Sequence, residues 1–272
     1  MTNPPPLRRT NGNTCIGRFI NTMIDYPHLP KILVEGDSWF AYPLKMNLAA
    51  QVESKLPGAY LRISQNGDTV ECMIFGKQNR KLRRYLQRFP LDVILFSGGG
   101  NDIVDPKVLP QILREKKAGM SWEDCIDKEA FRPKLERIRA GYLQLIGFRD
   151  QYRPRCLILA HGYDYPIPGD RPVRFLGFRI GGPWMYPHME ARKIFDQADK
   201  NAIGRWLIEQ FNLMLAELAD TMPGFVYVDT PGTLNADDWT NEIHPTSSGF
   251  EKIGSKVANV LRESLARKPN LA

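Results

Sequence analysis

No stretch of the 272-residue chain approaches the roughly 18 consecutive apolar positions that a membrane-spanning helix needs, so no membrane span is expected. Cysteine is scarce too. Cys15, Cys72, Cys125 and Cys156 are widely spaced and form no C-x-x-C pair, which excludes a disulfide scaffold and reads as reduced thiols. There is no fixed-period repeat and no low-complexity block. Neither nucleotide fingerprint is met: no G-x-G-x-x-G follows a strand, and no G-x-x-x-x-G-K-[ST] occurs. The opening MTNPPPLRRTNGNT puts prolines and arginines where a secretory signal needs an apolar run of about 7–15 residues, so a cytoplasmic protein is expected.

What is present is a globular composition, 43% apolar and 25% charged, with 37 Lys and Arg against 30 Asp and Glu for a formal charge of +7. The basic excess raises the question of nucleic acid. Its densest run, KQNRKLRRYLQR, sets Lys77, Arg80, Lys81, Arg83, Arg84 and Arg88 around Leu82, Tyr85, Leu86 and Phe89 at helical spacing. That is the pattern of a solvated helix face, and no nucleic-acid partner is expected.

Residues 1–30 read as an N-terminal leader, partly flexible, and 31–272 as one domain. Short β-branched runs alternate there with longer segments of helical period: KILVEGD, AYLRIS, LDVILFSGG, CLILAHG and GFVYVD. Such runs mark a parallel sheet covered on both faces. The clearest crossover spans 191–222, with Ile203, Leu207, Phe211, Met214, Leu218 and Met222 at steps of three and four. A last helix should start near Thr246 to Ser248. Five strands with intervening helices make one α/β domain. One segment, 163–188, fits neither period; its five prolines, four glycines and many aromatics predict an inserted ordered loop or short hairpin, open between a lid or substrate wall and a packed surface loop or subunit contact.

In open α/β sheets ligands sit outside the carboxyl ends of the strands, so the residues following each run are the informative ones. These are Gly36-Asp37-Ser38, Asn66-Gly67-Asp68-Thr69, the Gly98-to-Asp102 run with Asn101, and Asn241-Glu242-Ile243-His244-Pro245 ahead of the last helix. A serine, a glycine, an asparagine and a histidine at one sheet edge are the inventory of acyl-transfer hydrolysis: a nucleophile, a base and donors for an oxyanion. His28, His161 and His188 lie in no H-E-x-x-H, H-x-H or paired-cysteine context, so no metal and no cofactor is expected.

In block order, VEGDSWF, QNGDT, SGGGNDIVD and NEIHPTSSGF resemble the SGNH hydrolases of the GDSL lipase and esterase group, over about residues 31–265. The resemblance implies a flavodoxin-like three-layer α/β/α sandwich with a five-stranded parallel sheet. It implies Ser38 as nucleophile, His244 as general base and acid, and an oxyanion hole from Ser38, Gly67 and Asn101. Two positions depart from the family pattern. The usual Leu after the Gly-Asp-Ser is Trp39, followed by Phe40. The Asp usual three residues before the histidine is Asn241, so the orienter of His244 stays open among Asn241, the neighbouring Asp237, Asp238 or Glu242, and a backbone carbonyl. Asn241 holds the family position, with Asp238 next.

Trp39, Phe40, His161, Tyr163 and Trp184 are the candidate substrate wall, while Arg171, Arg174 and Arg179 would suit an anionic substrate. The expected activity is cleavage of carboxylic esters with a short or medium acyl chain, on a small-molecule or acylated substrate. A carbohydrate O-acetylesterase is the alternative within hydrolases. A catalytically weakened SGNH-fold ligand-binding protein is the alternative outside them, because an amide stands at 241.

Overall fold

The computed structural model describes residues 15–42, 47–175 and 178–267, with 173–175 and 178–180 as backbone only. Its strands are β1 Lys31–Gly36, β2 Ala59–Arg62, β3 Val93–Ser97, β4 Leu157–His161, β5 Val173–Phe175, β6 Phe178–Gly181 and β7 Phe225–Val228. Its helices are α1 Cys15–Asp25, α2 Ser38–Ala41, α3 Leu48–Lys55, α4 Asn79–Arg88, α5 Gly100–Val104, α6 Leu109–Ile112, α7 Lys128–Tyr152, α8 Tyr186–Ala191, α9 Gln197–Thr221 and α10 Ser247–Arg267.

The five predicted runs become the five strands of one parallel sheet in the order β2-β1-β3-β4-β7. Every residue of β3 and β4 is buried, as expected of strands covered on both faces. Each Ile, Leu or Val sequestered there contributes about 1.5–3 kcal/mol relative to exposure. Helix α3 packs on α10, while α4 and α9 both pack on α7. These groupings follow from right-handed crossovers, because the chain moves one way from β1 to β2 and the other way from β2 through β7. The fold is therefore an α/β/α sandwich. The strand order reverses between β1 and β3, so the crevice beyond their carboxyl ends is the topological switch point.

Residues 1–14 of the stretch read as a leader lie outside the described residues, but 15–25 are a folded helix. α1 buries Phe19, Ile20 and Met23 and packs on edge strand β2. Leu82 and Leu86 turn inward from α4, leaving Lys77, Arg80, Lys81, Arg84 and Arg88 exposed. Thr246 Oγ1 accepts the Gly249 N–H at the start of α10. The 163–188 segment holds the antiparallel β5–β6 hairpin and runs into α8. No helix among the described residues is long and apolar enough to cross a membrane.

Candidate active site

Ser38 is the first residue of α2, directly beyond β1. Asp37 caps that helix through Oδ1, which accepts the Trp39 N–H at 3.0 Å and the Ser97 hydroxyl at 2.8 Å, while Oδ2 accepts the Tyr163 hydroxyl. Full burial pushes the Asp37 carboxyl up to about 6 despite these three donors. Asp37 thus ties the serine turn to the ends of β3 and β4.

His244 Nε2 lies 2.8 Å from Ser38 Oγ across 206 residues of sequence. Its Nδ1 lies 3.1 Å from Asn241 Oδ1, and that same oxygen accepts the backbone N–H groups of Ile243 at 3.1 Å and His244 at 3.0 Å. Two obligatory donors fix which end of the Asn241 amide faces the ring. An acceptor at that position requires Nδ1 to carry the proton, which leaves Nε2 with its lone pair towards the serine hydroxyl. The network therefore assigns the tautomer a general base needs. Burial lowers the His244 pKa to about 3, so the ring is neutral at rest.

The other candidate orienters face elsewhere. Asp238 pairs with Lys252 Nζ at 2.6 Å and accepts the Asn235 N–H at 2.8 Å, and Asp237 is exposed. Glu242 is fully buried with its carboxylate turned away from the imidazole. It accepts the backbone N–H groups of Gly169 at 3.2 Å, Met185 at 3.1 Å, Tyr186 at 2.8 Å and Trp184. One carboxylate thus satisfies four amides of the inserted segment and fastens it to the loop that carries His244.

On the β3 side, Gly99 adopts φ +117°, and a Cβ there would fall 2.4 Å from the Phe211 ring, so only glycine permits this entry into α5. Asn101 then reaches the cleft edge, with Nδ2 donating to the Asp68 carbonyl at 2.8 Å. One of its two amide hydrogens is used this way; the second is available to a ligand. The adjacent Asp102 accepts the Val70 N–H at 2.9 Å, so neighbouring residues of α5 both hold the loop after β2. Gly67 stands at the exposed tip of that loop with φ +83°, a left-handed conformation that suits glycine, and is not among the residues lining the cleft.

The cleft beside Ser38 encloses about 380 Å³, open solvent included, and is narrow and largely apolar. Val104, Pro166, Ile208, Trp239 and Ile243 line it together with Ser38, Asn101, Asp164, Trp39 and Tyr163. Three expected wall residues, Phe40, His161 and Trp184, are not there. Phe40 and His161, each 1% exposed, sit in the packed interior beneath the site, where His161 stacks on Trp39 at 5.3 Å. His161 donates through Nδ1 to the Gly162 carbonyl, and burial lowers its pKa to about 4. Trp39 does reach the cleft, but its indole N–H also donates to the Ile243 carbonyl at 3.0 Å, joining the serine turn to the histidine loop. Trp184 lies against the His244 ring, at 5.2 Å between centroids, rather than along the cleft. Arg171 is exposed, and the Arg174 and Arg179 side chains lie outside the described residues.

Sequence reasoning did not reach Tyr42. Its ring stacks on the His244 imidazole at 4.4 Å and 29°. The signal was an aromatic four residues after the serine, one helical turn on, at the end of a short helix.

No protein-family model and no curated protein matches the chain. Solved structures do. The chain is similar to the lipase Lip_vut3 from a goat rumen metagenome, with 16% identity and a TM-score of 0.54 over 86% of this chain and 96% of that one. It is also similar to a possible lipase from Chitinophaga pinensis, with 13% identity and a TM-score of 0.51 over 85% and 98%. With the parallel sheet and its flanking helices, this establishes an α/β/α fold shared with these lipases.

Proposed function

We propose that the protein is a serine esterase of the GDSL type, hydrolysing carboxylic esters with a short or medium acyl chain through an acyl-enzyme on Ser38. The observation that carries this reading is the 2.8 Å contact between Ser38 Oγ and a His244 Nε2 whose lone pair is turned to it by Asn241. In the proposed cycle His244 takes the serine proton as Oγ attacks the ester carbonyl, then returns it to the leaving alkoxide. Water repeats the sequence to release the acid. The backbone N–H groups of Ser38 and Gly67 and the free amide hydrogen of Asn101 are the proposed oxyanion donors. Ser38 and the Asn101 amide lie along one largely apolar cleft, which supports a substrate presenting a carbonyl beside a small acyl group.

A nitrophenyl ester series from acetyl to decanoyl tests this reading. Turnover is expected to be highest for the short members and to fall as the chain outgrows the cleft. Polysaccharide acetate outrunning every simple ester would move the substrate to carbohydrate. No turnover together with no fluorophosphonate labelling of Ser38 would leave a ligand-binding protein on this fold.

Asn101→Ala is expected to lower kcat by about 10²–10³ with a smaller change in KM, because its second amide hydrogen is engaged only as charge develops on the oxyanion. The same substitution also frees the Asp68 carbonyl. Asn101→Asp, which cannot donate when ionised, should therefore be at least as damaging.

A further inference from the structure

The rest state of His244 is cheap to maintain and its charged state is not. The residue is 3% exposed, and Nδ1 meets a neutral amide where a carboxylate would share the charge. Among the described residues the groups around it are Ser38 with the buried Asp37 on the α2 side, Asn241 and Glu242 on its own loop, and Tyr42 and Trp184. The Glu242 carboxylate is taken up by the amides of the insert, and Asp238 by Lys252. Among the described residues, burial is what drives the shift of the ring. Two π systems are in contact with it instead. Tyr42 stacks at 4.4 Å, and Trp184 meets the ring at 5.2 Å and 70°, its backbone held by Glu242. Burial also raises the Tyr42 pKa, so the phenol stays neutral.

We propose that Tyr42, with Trp184 on a second side, is a positioning residue that stabilises the His244 imidazolium during turnover through the electron-rich ring face, in place of a carboxylate at position 241. A cation over an aromatic face gains most where water is excluded, as it is here. The proposal deepens the serine-esterase reading and rests on it.

The test varies the ring face at constant shape. Tyr42→Phe is compared with mono-, di- and trifluorinated phenylalanine at the same position, each fluorine withdrawing density from the face. In the intact protein kcat is expected to fall stepwise, on the order of tenfold across the series, with KM and thermal stability unchanged. In an Asn241→Asp background the slope should flatten, since a carboxylate then carries the charge. A purely structural role for Tyr42 would move stability and leave kcat flat with fluorine number. A flat series in a protein whose Ser38 still reacts with a fluorophosphonate overturns this inference alone. Failure of the unsubstituted protein to react overturns the serine reading with it.

Discussion

Ser38→Ala should lower kcat for ester hydrolysis by about 10⁴–10⁶ while leaving the fold intact. The catalytic loss follows from the role proposed for Oγ, which lies 2.8 Å from Nε2. The structural indifference follows from its surroundings. The helix cap is supplied by Asp37, and the side-chain contact recorded for the Ser38 hydroxyl is His244. Removing it leaves one imidazole acceptor unpaired beside a cleft that admits solvent, so thermal unfolding should stay within about a degree or two of the parent. His244→Ala should cost a similar factor. The double variant should lose little more than either alone, because nucleophile and base act as one unit. Independent, multiplying losses would show that the two residues do not share a step. Activity retained in Ser38→Ala would remove the serine mechanism altogether.

The fold was legible because each of its strands is a continuous apolar run, and a run that is buried on both faces needs no partner to be recognised. β3 and β4 are such runs from end to end. Edge and terminal elements carried a weaker signal. α1 buries only one stripe, Phe19, Ile20 and Met23, beside a proline- and arginine-rich opening, and so was absorbed into the leader. At the site, chain order sufficed to place Ser38, Asn101 and His244, because the rule of strand carboxyl ends concerns backbone. What it could not reach was direction. Phe40 and His161 stand next to site residues in sequence but turn into the core, and Trp39 spends its indole N–H on the histidine loop. Glu242 was legible as a charge beside the histidine. That it faces four amides of a segment 56 to 73 residues earlier depends on the tertiary path of the insert, to which local sequence is blind.

Replacing Asn241 should separate orientation of the base from stabilisation of its charge. Asn241→Leu keeps the bulk but removes the acceptor, leaving Nδ1 free to lose its proton to Nε2 and so to present a donor to Ser38. A kcat loss of about 10³–10⁴ is expected, the scale associated with the wrong tautomer. Two buried N–H groups, of Ile243 and His244, would also be orphaned, at about 1–3 kcal/mol each, so a lower melting temperature should accompany the loss. Asn241→Asp preserves all three contacts and adds a negative charge at the oxygen that lies 3.1 Å from Nδ1. An opposite charge favours the protonated ring, so the His244 pKa must rise from its depressed value of about 3. The proposed mechanism requires the neutral ring. The acid limb of kcat/KM should therefore move upward by about one to three pH units, and turnover on the plateau should rise about tenfold as the imidazolium of the transition state gains a charged partner. In the parent protein, by the same reasoning, the proposed base should stay neutral well into acid, where a carboxylate-supported histidine is already protonated. An acid limb that stays in place in Asn241→Asp would mean that Asn241 does not touch the catalytic ring in solution, and the orienter would have to be sought elsewhere.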